Sequence, residues 1–366
     1  MDAAWSRADA APPMLRSSAD SMPVDPAPAG VAAPLLRGPA RVTVTGGAGF
    51  VGSHLVEELL RAGHAVHVVD DLSTGSLDNL AAVAGHARLA VTIASVATAA
   101  GAQAACAGAE FVFHLAGVVG VQRLASEPLL VMQQNLHATE RLLAAAAAAR
   151  VPVLLASSSE VYGDGPVPFR ERDPVRPGST EGLRGGYACA KAMGEWLAFG
   201  HREATGLPVV VARLFNTIGP RQPGADGMVL PRFIGQALRG EPITVYGDGS
   251  QTRCFAAVGE VVRALAALAA APGAEGLVVN VGSDQETTVR ALAELVRQCT
   301  GSRSPIVEVP FGERFPRGFG DPCRRVPSLE RLRALIGWAP AAPLPAIVEE
   351  AVAWHLARQP GTVPLG

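Results

Sequence analysis

Arg41 to Gly52 reads RVTVTGGAGFVG, and this stretch decides the fold. Arg41 to Thr45 is rich in β-branched residues, the composition of a strand buried in a parallel sheet. Glycines follow at 46, 49 and 52, and then an apolar stripe at Leu55, Leu59 and Leu60 with helical spacing. A strand, a glycine turn and a helix in that order make a cradle for phosphates. Gly46 permits the tight turn, Gly49 lets backbone approach a pyrophosphate, and Gly52 lets the helix pack close to the strand. Phe50 and Val51 stand at the helix N-terminus, which offers N–H donors and a positive dipole end. A second strand, Ala65 to Val69, ends in Asp70 and Asp71. An acid at that tip accepts hydrogen bonds from both hydroxyls of an adenosine ribose and repels a 2′-phosphate. The expected cofactor is therefore NAD rather than NADP. The other reading of Asp70 is a turn-forming residue ahead of Asp71-Leu72-Ser73-Thr74-Gly75.

At 366 residues the chain is long enough for a large core and two lobes. Hydrophobic residues make up 49% and the net charge is −2, which gives no electrostatic bias toward nucleic acid or acidic membranes. No apolar run is long and charge-free enough to span a bilayer. The five cysteines are scattered without metal spacing, and the eight histidines show no His-x-x-x-His pattern. This points to reduced thiols, a cytoplasmic protein and no metal.

Residues 1–38, rich in Ala, Pro, Ser and Asp, read as a disordered tail. From Arg41 strands and helices alternate. Strands are expected near 88–93, 111–115, 153–157 and 208–214, with helices over 51–62, 96–107, 128–150 and 187–205. That rhythm implies an α/β fold, a Rossmann-type doubly wound parallel sheet over about 39–216. After Asn216 the rhythm breaks. Residues 217–366 are expected to form a smaller substrate lobe over the sheet's carboxyl edge, with segments near 250–283 returning to the first lobe.

The fifth strand runs into Ser157-Ser158-Ser159-Glu160-Val161-Tyr162-Gly163, and Tyr187-Ala188-Cys189-Ala190-Lys191 opens a later helix. A Tyr and a Lys four apart share one helical face. The lysine ammonium favours phenolate and lowers the tyrosine pKa. Tyr187 can then take a proton from a sugar hydroxyl as hydride leaves the same carbon, while Ser158 hydrogen-bonds that oxygen.

These stretches together resemble an extended short-chain dehydrogenase/reductase that acts on nucleotide sugars. The resemblance runs from about Arg41 to Trp354. It rests on Gly46 to Gly52, Val69 to Gly75, His114-Leu115-Ala116, Ser157 to Asp164, Tyr187 to Lys191, Arg213 to Asn216 with Gly219-Pro220-Arg221, and Val245 to Gly249 with Gln251-Thr252-Arg253. It implies a bound NAD touched also by Leu115 and Lys191, a UDP-sugar and a 4-keto intermediate. It further implies a homodimer through a four-helix bundle of the 128–150 and 187–205 helices. Asn216 and Arg253 match positions that hold the diphosphate, and Tyr246 lies near the base. Ser159, Arg221 and Gln251 complete the expected substrate contacts. Where relatives carry Gly-Asp-Ile after the third strand this chain has Val91-Thr92-Ile93-Ala94, which leaves adenine to backbone or Thr92. Val258-Gly259-Glu260 also stands where relatives have an acid-rich stretch.

The residues beside Ser158 select among reactions. Dehydratases have an acid at the position of Ser159, and a serine hydroxyl is a poor general acid at neutral pH. Simple 4-epimerases need no acid at Glu160. The run Ser158 to Asp164 is most similar to UDP-glucuronic acid decarboxylases, with Ser158 where Thr is more usual. Glu160 would position water or accept a proton near C5; its other reading is a partner for a nearby arginine. UDP-sugar 4-epimerase, NDP-glucose 4,6-dehydratase and a non-catalytic dinucleotide sensor are the alternatives, and the sensor would not need the Tyr187–Lys191 pair.

Overall fold

The computed structural model describes residues 33–182, 184–224, 227–314 and 323–358. Most of the expected tail lies outside them. Its last residues do not fit that expectation: Leu36 is buried and donates its N–H to Ala269 O at 2.9 Å, so packed chain begins before Gly38.

The strands are β1 (Arg41–Thr45), β2 (Ala65–Asp70), β3 (Leu89–Ile93), β4 (Phe111–His114), β5 (Val153–Ser158), β6 (Val209–Leu214), β7 (Thr217–Ile218), β8 (Ile243–Tyr246), β9 (Thr252–Cys254), β10 (Ala256–Ala257), β11 (Val278–Val281), β12 (Glu286–Thr288) and β13 (Ile306–Val309). Seven of them form one sheet in the order β11-β6-β5-β4-β1-β2-β3, with every neighbouring pair parallel. The order reverses beside β1, so β1 and β4 diverge to their helices and leave a crevice at the carboxyl edge. Parallel neighbours need crossovers, which helices between the strands supply; the helices are α1 (Phe50–Arg61), α2 (Ala99–Cys106), α3 (Val121–Ser126), α4 (Pro128–Ala149), α5 (Arg184–Thr205), α6 (Val229–Leu238), α7 (Val258–Ala269), α8 (Val289–Cys299), α9 (Phe311–Arg314), α10 (Glu330–Ile336) and α11 (Leu344–Ala357), the last three of which follow the final strand.

Alternation along each strand splits the core into two layers. Val210 and Ala212 of β6 pack with α1 and α7, whereas Val209 and Val211 pack with α2, α4 and α5. β11 adds to the sheet beside β6, and α7 packs in the layer with α1. A later segment returns as well, since Leu329 and Leu332 join the α1–α7 layer. A third core joins α6, α8, α11 and β8 through Phe233, Ile234, Val245, Leu292, Val296 and Val348. The short pairs β7–β10, β9–β12 and β8–β13 and helix α3 escape sequence periodicity because they are too short to show one.

Candidate active site

The glycine turn after β1 is tight. Gly46 has φ +72°, and a Cβ there would lie 2.7 Å from Ala116 N. Gly52 has a different constraint from the one expected: its Cβ would fall 2.0 Å from Gly46 O, so the turn itself, not the strand, demands glycine. No side chain caps the N-terminus of α1 at Gly49, and the first helical N–H groups have no intrahelical acceptor. Gly46, Gly49, Phe50, Val51 and Gly52 all line one cleft, together with Asp70, Asp71 and Leu115. The residues present therefore fit a dinucleotide.

Asp70 sits where a turn meets the cleft. Its carboxylate accepts from Ala48 N at 2.9 Å and Leu72 N at 2.8 Å, which holds the turn, and it also borders the cleft. Each carboxylate oxygen can accept more than one bond, so capacity for ribose hydroxyls remains. Asp70→Asn keeps the shape and removes the charge. It is expected to weaken NAD binding roughly tenfold or more and to narrow the gap between NAD and NADP. Fluorescence titration with both dinucleotides checks this; an unmodified protein that binds NADP as tightly as NAD contradicts it. Of the two expected holds on adenine, backbone or Thr92, the Thr92 side chain does not line the cleft. Its hydroxyl pairs with His67 Nε2 at 2.8 Å, and Ala94, Ser95 and Val96 form that wall instead.

Ser158, Ser159, Glu160, Tyr187 and Lys191 converge in the same cleft. Ser158 ends β5, and its Oγ accepts from Glu160 N at 3.2 Å, capping a single 3₁₀ turn over Ser159–Tyr162. The Ser158 and Tyr187 side chains both face this cleft. Lys191 lies one turn beyond Tyr187 on α5 and donates Nζ to Ala156 O at 3.2 Å. Burial draws its pKa down to about 8, opposed by Glu195 one turn further on. The expected lowering of the tyrosine pKa is not seen. Burial raises Tyr187, Glu160 adds to the rise, and Ser158 and Arg325 offset only part. A phenolate in this dry cleft needs a further cation nearby, and the nicotinamide ring of bound NAD⁺ carries one.

Beneath the site a buried network ties three elements together. Glu195 accepts from Ser157 Oγ at 2.5 Å and from Arg213 Nε and Nη2 at 2.9 and 2.6 Å. This locks β5, α5 and β6 at the points from which Ser158, Tyr187 and Lys191 project.

Glu160 is held by two guanidiniums. Arg325 reaches its Oε1 at 2.5 Å and Arg184 at 3.3 Å. They hold its carboxyl far below the ordinary carboxylate range, against the desolvation that would raise it. An acid so weakly basic is a poor proton acceptor, so the arginine-partner reading of Glu160 is the one the geometry favours. Sequence reasoning missed both arginines. Arg184 could have been found one helical turn before Tyr187; Arg325 comes from a distant segment with no local signal.

The expected substrate contacts divide. Asn216, Tyr246, Gln251 and Arg253 line the cleft. Gln251 Nε2 donates to Tyr246 O at 2.9 Å, and Asn216 Nδ2 to Cys254 O at 3.5 Å. Arg232 of α6, also missed, stacks over the Tyr246 ring at 4.2 Å and lines the same wall. Arg221 is a correction: it turns away to α1, pairing with Glu57 at 2.5 Å and Ser53 Oγ at 3.3 Å, and does not line the cleft. Among the described residues no group of three or more His, Cys, Asp or Glu could hold a metal ion. No helix of them is long and apolar enough to cross a membrane.

Comparison with known proteins agrees with this geometry. Residues 42–282 match the model of the NAD dependent epimerase/dehydratase family. The chain is 36% identical over 315 residues to a UDP-N-acetyl-alpha-D-glucosaminuronate decarboxylase of Bacillus cytotoxicus, covering 86% of this chain and 97% of that one. It is 35% identical over 304 residues to UDP-glucuronic acid decarboxylase 1 of Danio rerio, covering 83% and 70%. Among solved structures, the UDP-glucose 4-epimerase of Thermus thermophilus in complex with NAD superposes with a TM-score of 0.75 at 30% identity, covering 87% and 100%. With its glycine turn, acid-tipped second strand and Ser–Tyr–Lys cluster on one parallel sheet, the chain belongs to the NAD dependent epimerase/dehydratase family.

Proposed function

We propose that the protein is an NAD-dependent lyase that decarboxylates UDP-glucuronic acid through a 4-keto sugar, yielding UDP-xylose or, if released early, UDP-4-keto-xylose. The observation that carries this reading is the Arg184–Glu160–Arg325 cluster beside the Tyr187 hydroxyl. Two guanidiniums share one carboxylate there, at the edge of the reacting site, and the planar fork of each matches a second carboxylate. A uronate brings that carboxylate as its C6 group. Neither a plain hexose epimerase nor a dehydratase substrate has a carboxylate for it, and Ser159 supplies no acid for dehydration.

Tyr187 takes the C4 hydroxyl proton, and Ser158 holds the same oxygen. NAD, when bound, accepts the hydride from C4 and later returns it. The resulting ketone is β to the C6 carboxylate. The C5–C6 bond then breaks, CO₂ leaves, and the electron pair passes into an enolate whose oxygen lies at Ser158 and the now protonated Tyr187. C5 then takes a proton. Glu160 orients the guanidiniums rather than acting as base. Asn216 and Arg253 fit the diphosphate; Tyr246, Gln251 and Arg232 fit the nucleoside end. Mass analysis of products from UDP-glucuronate, UDP-glucose and dTDP-glucose tests this. Loss of CO₂ from the first is expected, whereas loss of water or an isomer of unchanged mass points to the dehydratase or the epimerase.

We also propose a cytoplasmic homodimer. Trp196 and Met193 of α5 and Leu129 of α4 are 60%, 44% and 62% exposed, although α4 and α5 pack on one another. Large apolar side chains grouped on a helix pair call for a partner surface, and a second copy supplies one as a four-helix bundle. All five cysteines are free thiols, in keeping with a reducing compartment. Light scattering should give the dimer mass at micromolar concentration, and Trp196→Glu should shift it toward monomer. An unmodified protein that runs as a monomer overturns the bundle.

A further inference from the structure

Lys191 is the only lysine in the chain. It stands one turn before Glu195 on α5, and the two side chains grip consecutive residues of β5. Lys191 Nζ donates to Ala156 O at 3.2 Å, and Glu195 accepts from Ser157 Oγ at 2.5 Å. Ser158 is the next residue of that strand, and Tyr187 lies one turn back from Lys191. Glu195 also accepts from two nitrogens of Arg213 on β6. Lys191, Glu195 and Arg213 are all buried. Two buried cations therefore share one carboxylate. With Glu195 ionised, Arg213 is balanced and Lys191 keeps its charge for Tyr187. Without it, a bare guanidinium and an ammonium would lie in one dry layer, and only the ammonium can shed its proton.

The groups that face this trio from other elements do not replace the carboxylate. On β4, His114 is held between Thr45 Oγ1 and Thr139 Oγ1 at 2.8 and 3.3 Å. Burial and the charge of Lys191 push it down to about 3, so it is neutral. Helix α4 packs on α5 with Asn135 and Thr139 buried, while its His137, Glu140 and Arg141 are exposed. In the cleft, Glu160 is taken by Arg184 and Arg325. Asp173 shares an outer hollow with Glu195 and Arg213, and its carboxylate accepts from Arg170 N at 2.7 Å.

We infer that Glu195 is a positioning residue for Tyr187 that acts through Lys191: its carboxylate offsets Arg213, seats the lysine against β5 and so keeps a cation beside the phenol that takes the C4 proton. The inference rests on Tyr187 as the proton acceptor of the proposed reaction, and its main readout needs no turnover. Because the chain has one lysine, protein grown with lysine labelled with ¹³C at Cε gives a single side-chain signal, and its pH titration in the NAD-loaded protein reads Lys191 alone. Glu195→Gln should lower the midpoint by about one pH unit or more, and Arg213→Met, which frees the carboxylate from its guanidinium, should raise it by about as much. From a starting midpoint of about 8, a one-unit drop cuts the charged fraction at pH 8 about fivefold and leaves it nearly unchanged at pH 6. The kcat for CO₂ release from UDP-glucuronate by Glu195→Gln should follow that course, with KM little changed. Midpoints that stay in place, or that move the same way in both variants, overturn the inference, as does a kcat deficit equal at pH 6 and pH 8. Should only one variant fold, the direction of its midpoint decides, and a neutral lysine at pH 7 in the unmodified protein overturns the inference without any variant. If UDP-glucuronate loses no CO₂, the decarboxylase reading fails, and the lysine titration alone decides the role of Glu195.

Discussion

Tyr187→Phe is expected to abolish CO₂ release while leaving NAD binding intact. The phenol is the group placed to take the C4 proton, facing the same cleft as Ser158 and one helical turn from Lys191. Phenylalanine fills the same buried space, so the fold should persist. Loss of a general base typically costs about 10²–10⁴-fold. Since decarboxylation follows C4 oxidation, the loss should also appear as missing NADH absorbance in a single turnover with UDP-glucuronate. A Tyr187→Phe enzyme that retains a tenth of the rate would assign the proton to another group.

Glu160→Gln should have the second largest effect, and on two observables. The carboxylate holds Arg325, itself almost wholly buried, and Arg184. Removing one partner leaves buried cations poorly compensated, a loss of about 3 kcal/mol or more. Turnover should fall about 10²-fold, because the guanidiniums no longer meet the C6 carboxylate in register. The pH dependence follows from the direction of the shift. The folded-state pKa of Glu160 lies far below the ordinary value of 4.5. Its stabilising contribution is therefore complete above about pH 4.5 and is lost as pH falls from there toward the folded value. Urea titrations at pH 7 and pH 4 check both parts: the gap between wild type and Glu160→Gln should be wide at pH 7 and narrower at pH 4. An equal gap at both values would remove Glu160 from the acid response.

Much of this fold could be read from the chain. Val42, Val44, Val66 and Val68 alternate into one layer, and the glycines at 46 and 52 are fixed by backbone approach that no other residue allows. Tyr187 and Lys191 share a helical face whatever surrounds them. What the chain did not disclose is what depends on long-range encounter. Arg325 meets Glu160 across 165 positions of sequence, and Arg232 meets Tyr246 only once α6 packs over β8. Arg221 stands in the Gly219-Pro220-Arg221 run that carries part of the family resemblance, yet Glu57 and Ser53 of α1 take its guanidinium. The tyrosine pKa went the other way from local reasoning because burial, invisible in a spacing rule, outweighs a lysine that is turned to the Ala156 carbonyl.

The most direct test of the central claim is CO₂ release from UDP-glucuronate by the unaltered, NAD-loaded protein, followed with ¹³C at C6 of the sugar. Labelled CO₂ together with UDP-xylose or its 4-keto form is the expected result. Retention of the label in the sugar, with interconversion of UDP-glucose and UDP-galactose by the same preparation, would contradict it and make the protein an epimerase.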